Sequence, residues 1–417
     1  MANSLQKTDT GATTYRQAPR WDAFLTLGFR PLYFAGCAWA LLAIAIWIFA
    51  PQLIGQPLSG VAWHAHEMLW GFVATIAVGF LLTASATWTK INPLKGWPLG
   101  LACLLWLCAR AGYLLGGWPG FIVACLSETA FFAISGIALL RVVILARSRR
   151  NYGIPFLVLG LGAANVLYLR AALQGDYSLL MQRFDLGLLC MAVIALLIAR
   201  RVIPFFTMRM VPGLQLPMNT RNGHVQIILG VLAILSGLLG QYPVMAAALA
   251  ATGLISLFQV ASWKPFASRH RPLLWILYVG YTFLGLGLVF AAVYLLDPTP
   301  GTLTRAATHV HIIGMGGFAI LIIGMVTRTA LGHLGRPLVL DRSMRASYVL
   351  MIVAVVLRLV ALAPLGLTSL WLLRLAALFW IATFALYLWR FVPMLIRPRS
   401  DAEPAAPPRK TVLKGSA

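Results

Sequence analysis

Apolar runs of eighteen or more residues recur along the chain from Gly28 to Leu395, and no other feature constrains its fold as strongly. Each run is long enough to cross a hydrocarbon core of ~30 Å as a helix. Only helices and closed barrels satisfy every backbone polar group in lipid. Barrel strands alternate apolar and polar side chains, whereas these runs are continuous, which predicts helices. Twelve spans are expected, near 27–49, 66–88, 97–115, 120–144, 153–173, 181–202, 224–240, 243–262, 272–295, 306–328, 346–364 and 369–392. The predicted fold is an all-α integral membrane protein of about 12 transmembrane helices, forming one polytopic domain over 27–395. Residues 1–26 precede it; they lack the apolar core and small-residue cleavage site of a cleavable signal. The tail 396–417, "IRPRSDAEPAAPPRKTVLKGSA", is charged and rich in Pro and Ala, and is expected to be disordered.

Charged residues make up only 10% of the chain, yet the net charge is +23. With the N-terminus placed in the cytoplasm, 27 of the 33 Lys and Arg fall in cytoplasmic segments and every second loop is nearly bare of them. That is the positive-inside pattern. It predicts both termini cytoplasmic and a multi-pass protein of the bacterial inner membrane. The basic charge reports topology in a lipid bilayer, and nucleic acid is excluded as a partner. The five cysteines lie within apolar spans with no CxxC pair, as small buried hydrophobes do.

Six basic residues break the pattern, and all are arginine: Arg110, Arg170, Arg183, Arg305, Arg358 and Arg374. The acids Glu67, Glu128, Asp176, Asp185 and Asp297 also lie away from the cytoplasm. Interfacial pairing and snorkelling account for Arg170, Arg183 and Arg305. Arg110, Glu128 and Arg358 sit further from helix ends, where ionisable residues are costly and functional by default. Arginine in place of lysine suits a planar anion such as a carboxylate.

Four of the seven histidines form two HxH pairs, His64 and His66 in "WHAHEM" and His309 and His311 in "THVHIIGMGG". Both pairs fall at the outer start of an inward-going span, level with the outer arginines. Positions i and i+2 on a helix differ by about 200°, so each pair sends one imidazole to either side. One histidine from each could meet its counterpart as axial ligands of a haem; imidazole also binds copper and zinc. All four are therefore candidate metal ligands. Gly71 and Gly79 follow His64 at +7 and +15, as Gly316 and Gly324 follow His309. Seven residues is about two turns, so Gly71 and Gly316 are expected to clear space for a flat macrocycle beneath an axial histidine; packing on small residues explains them equally well. Glu67 is a candidate to orient an imidazole or relay protons. His224, His270 and His333 lie on the cytoplasmic side, His333 about 36 Å of helix from His309.

The stretches "GFRPLYF" (28–34), "WHAHEMLWGF" (63–72), "GFLLTASATWT" (79–89), "RRVIPFFT" (200–207) and "HVHIIGMGGFAILIIGMVTRTALGHLGRPL" (309–338) together resemble the NnrS proteins. These are polytopic haem- and copper-containing membrane proteins of the bacterial response to nitric oxide. The resemblance implies haem, with copper as a further cofactor, and the handling of nitric oxide or nitrosyl-iron species in nitrosative-stress defence. It carries over His64, His66, His309 and His311 as ligand candidates, with His333 and Arg336 as motif residues without an assigned role. Arg110, Arg358 and Arg374 are candidates to hold haem propionates. If the chain is an enzyme, it is an oxidoreductase acting on nitric oxide. A looser likeness to the catalytic subunit of haem-copper oxidases extends to twelve helices and an HxH on the tenth. The sixth and seventh spans here lack the histidines that bind copper in those oxidases.

Two other functions fit parts of the pattern. A twelve-helix carrier could couple protons to a small anion through an Arg, Glu and His cluster. The near-absence of charge on the cytoplasmic half of the spans speaks against it. A haem-based nitric oxide sensor would relay through the basic cytoplasmic loops, though no signalling domain is attached.

Overall fold

A computed structural model describes residues 18–217, 220–297, 306–363 and 369–401. Among the described residues there is no strand, and twelve helices are long and apolar enough to cross a membrane. They are α1 (Phe29–Phe49), α2 (Gly60–Thr89), α3 (Trp97–Leu115), α4 (Gly117–Leu145), α5 (Arg149–Gln174), α6 (Tyr177–Met210), α7 (Thr220–Leu238), α8 (Tyr242–Ser262), α9 (Pro272–Leu296), α10 (Ala307–His333), α11 (Arg342–Leu362) and α12 (Leu370–Leu395). The twelve expected spans are therefore present, with changed ends. Helix α2 begins six residues before its apolar run, so His64 and His66 lie inside a helix. Hydropathy reads the Trp-His-Ala-His-Glu segment as a polar end because it cannot see the partners that bury it. Helix α6 continues past Arg200, Arg201 and Pro204 to Met210.

Sequential helices pack side by side, and α12 returns to lie against α1. The interior belongs to α2, of whose most apolar stretch 89% is buried, and to α6 and α10, at 72% each. Helices α7 and α11, at 28%, face outward. Small residues let α1 and α2 approach: a Cβ on Gly28 would meet Leu82 at 2.8 Å, and one on Gly79 would meet Leu32 at 2.9 Å.

Both ends of the bundle meet at one face. The Arg20 amide donates to the Ile396 carbonyl at 2.9 Å. Buried Arg30, of the "GFRPLYF" stretch, donates to the carbonyls of Leu395 and Arg397 at 2.7 and 2.6 Å. Carbonyls at a helix C-terminus lack intrahelical donors and carry partial negative charge, which a guanidinium answers. Residues 396–401 of the expected disordered tail are tied down: Ser400 Oγ donates to the Leu334 and Gly335 carbonyls. Residues 402–417, the first seventeen and Arg305 lie outside the described residues.

Both HxH pairs open onto the same irregularity. Residues Glu67–Ala74 of α2 and Ile312–Ala319 of α10 are π-helical. Each segment is eight residues long and begins three residues after the first histidine of its pair. A π turn closes its hydrogen bond at i→i+5, shifts every later side chain around the axis, and occurs often at functional sites. The two π segments touch each other at the centre of the bundle.

Candidate functional site

The sequence led us to expect one outer site, and the structure contains two neighbouring ones, separated by α2. On one side, His64 and His311 line a common cavity with Trp47, Met68, Phe72 and Arg358. The indole of Trp47 stacks on the His64 ring at 5.1 Å and 9°, which fixes the ring plane. His64 Nδ1 is buried and has no hydrogen-bond partner. His311 Nδ1 lies 2.7 Å from the Ala307 carbonyl. It must donate that bond, so the Nε2 lone pair remains for a ligand, as at metal-bound histidines. Gly314, one turn beyond His311, lines the same cavity and has no atom within 4 Å of where a Cβ would stand. Arg358 makes no ion pair among the described residues, although it projects into an apolar enclosure.

On the other side, His66, Glu67, Arg110, Glu128, Asn165 and Trp39 form a closed network contributed by α1 to α5, and its five polar side chains are buried. Arg110 donates to Glu67 Oε2 at 2.5 Å and to Glu128 Oε1. Trp39 Nε1 donates to Glu67 Oε2 at 2.5 Å. His66 Nδ1 is 2.8 Å from Glu67 Oε1, and its Nε2 is 2.9 Å from Asn165 Oδ1 and 3.0 Å from Glu128 Oε2. Asn165 Nδ2 donates to Glu128 Oε2 at 2.8 Å. Buried charges need such pairing and hydrogen bonding.

Several expectations change accordingly. His66 does not reach the cavity, and both its ring nitrogens are engaged. Arg110 is held between two carboxylates and does not line the cavity. Arg374 is exposed, with its guanidinium 5.8 Å from the Trp371 ring, and does not line the cavity. His309 is buried against Tyr294, ring centroids 5.0 Å apart, with Nε2 4.0 Å from Asp185 Oδ1. Each pair thus divides its imidazoles between two directions. The glycines clear no space beneath the histidines: a Cβ on Gly71 would meet Arg110, Glu67 and Trp39 within 2.9 Å, and one on Gly316 would meet Phe283 at 2.7 Å. The π turns are the reason, since an α-helical count of seven no longer returns to the same face. Glu67 orients the His66 imidazole and Arg110.

Sequence reasoning passed over Trp39, Trp47, Asn165 and Gly314. Asn165 carried a readable signal, as a carboxamide alone in the apolar run "GLGAANVLYL". The tryptophans carried none. At the chain-end face, "RRVIPFFT" and "TRTALGHLGRPL" supply Arg201, Phe206, Arg328 and His333 to one cavity. Arg328 lies over the Phe206 ring at 3.6 Å and donates to the Met210 sulfur at 2.8 Å.

Among the described residues no three or more His, Cys, Asp or Glu side chains gather as a metal cluster. The paired cavity histidines, the orphaned His64 nitrogen, the Arg358 guanidinium in the lining and the open space beside Gly314 fit a planar, carboxylate-bearing haem. The same lining carries the Met68 and Met315 thioethers beside the two imidazoles, and both donor types also suit copper.

Fold and site together define a polytopic helical membrane protein with a two-histidine cavity inside its bundle. A family model described as NnrS protein matches residues 23–399. The chain belongs to that family. Comparison with curated proteins finds no match.

Proposed function

We propose that the chain holds haem in the cavity between α2 and α10 and handles nitric oxide or nitrosyl-iron species in nitrosative-stress defence. The carrying observation is that His64 and His311, distant in sequence, line one cavity with the Arg358 guanidinium, which makes no ion pair among the described residues. His64 and His311 are the ligand candidates, and Arg358 is the partner for a propionate, as guanidinium and carboxylate match in charge and planar shape. With the basic chain-end face in the cytoplasm of a bacterial inner membrane, the cavity lies toward the periplasm. Bound there, haem supplies an iron centre able to coordinate nitric oxide and exchange electrons with it. The chain's residues fix the imidazole planes through Trp47 and the Ala307 carbonyl, and the apolar walls formed by Met68, Leu69 and Phe72 exclude water. Membership of a nitric oxide-response family supports the same reading.

The test is the visible spectrum of protein purified from haem-replete cells, with and without nitric oxide. A Soret band is expected that shifts on adding the gas. Alanine at His64 or His311 should weaken haem binding by more than the roughly 10–100-fold that loss of an outer-shell partner costs. Alanine at His309 should leave the haem-to-protein ratio of folded protein nearly unchanged. A missing Soret band, or retained haem in the His64→Ala, His311→Ala double variant, overturns the assignment.

A further inference from the structure

A second cavity lies deeper in the membrane-spanning region, lined by α1, α2, α6, α9 and α10. Of its lining side chains only Tyr33 carries a hydroxyl, and none carries a charge. A buried water needs two to four polar partners, and apolar cavities of this kind stay dry and take up xenon or small hydrocarbons. An anion would pay the full cost of intramembrane charge there.

Two residues line both this cavity and the histidine cavity: Val73 and Phe318. They belong to the two π-helical segments, so the local irregularity of α2 and α10 forms the partition between the chambers. On the far side, Phe80 and Val202 are shared with the arginine-lined cavity at the chain-end face. Phe80, Ala195, Ile198 and Met325 of the wall remain partly exposed, so the middle chamber is not sealed.

We propose that the mid-membrane cavity is a docking reservoir for a small uncharged diatomic gas, loaded from the hydrocarbon core and emptied between Val73 and Phe318 into the histidine cavity. The inference rests on the haem reading for its destination, but the reservoir stands on its own geometry. Small uncharged gases enter hydrocarbon readily because it lacks the cohesion of water. The bilayer therefore concentrates them at the chamber's edge. Nitrite, nitrate and charged iron complexes are turned away by the same wall.

Xenon tests the reservoir whether or not haem is bound. Crystals of the full chain pressurised with xenon should show a bound atom between Ala77, Ala195 and Leu321. Filling the space with Ala195→Phe, or independently with Ala77→Leu, should abolish that atom, whereas Ala247→Phe on the exposed face of α8 should not. Absence of xenon from the wild-type chamber overturns the proposal. Flash photolysis of the nitric oxide adduct of haem-loaded protein tests the passage. Ala195→Phe should slow bimolecular rebinding several-fold, and Phe318→Ala should speed it. Unchanged kinetics in both, with xenon bound, refute the connection. A protein without haem refutes the functional reading while the xenon result still decides the reservoir.

Discussion

Replacing Arg110 with methionine is the sharpest probe of the ionic network. The substitution keeps most of the aliphatic volume and removes the one permanent cation that faces Glu67 and Glu128. Both carboxylates are buried, so neither can recover its loss from water. Two charge-assisted hydrogen bonds disappear, each worth about 1.5–3 kcal/mol. Breaking a buried ion pair from one side costs about 3–5 kcal/mol, because an uncompensated charge remains. We expect that loss for Arg110→Met, a factor of roughly 10²–10³·⁵ in the unfolding equilibrium. The double variant Arg110→Met, Glu128→Leu removes one of the two stranded carboxylates as well. It should be less destabilised than the two single variants summed, by about 0.5–3 kcal/mol of coupling. Unfolding by SDS in mixed micelles, followed by tryptophan fluorescence, measures each corner of the cycle. Trp39 and Trp106 border the network and report on it directly. A single variant within about 1 kcal/mol of wild type, below the typical cost of a broken buried pair, would refute the account. So would strict additivity in the cycle. The folded fraction of Arg110→Met should keep its haem, since Arg110 does not reach the cavity; selective haem loss would restore it as a propionate partner.

Gly71→Ala should destabilise the bundle by about 1–3 kcal/mol, as overpacking does, since its Cβ would meet Arg110 Nη1 at 2.5 Å. Gly314→Ala, with open space around it, should leave the melting temperature of the haem-free protein unchanged or slightly raised; an equal loss in both would refute the distinction. Asp341 caps α11 by accepting from the Met344 amide at 2.9 Å and pairs with Arg390 Nε at 2.5 Å. Burial pushes its carboxyl upward, but the Met344 amide, Ser343 and Arg390 together hold it below its ordinary value of 3.8. Its contribution to stability is thus present above the ordinary value and is lost as the pH falls through the lowered one. Asp341→Asn should lower the melting temperature at pH 7 and converge with wild type in strong acid; parallel curves down to pH 2 would exclude the linkage. Arg30→Ala should release the helix end at Leu395 and speed proteolysis near residue 400, with the haem spectrum unchanged.

Apolar run length and charge asymmetry determined the number of spans, their order and the common side of the two ends. These are properties of each segment alone against lipid, where transfer energy accumulates residue by residue. That Arg110 and Arg358 lie near the histidines was legible for the same reason, since depth is counted along one helix. Facing was not. Which histidine of each pair meets the other depends on rotation about the axis, and the π turns at Glu67–Ala74 and Ile312–Ala319 break the 3.6-residue count used to infer it. The division of one expected site into a cavity and a network was likewise decided by neighbours. Arg110 and Arg358 look alike in sequence, each a lone arginine in an apolar run. Glu67 and Glu128 claim the first, and no carboxylate among the described residues claims the second, because pairing across helices is set by packing and not by either stretch of sequence.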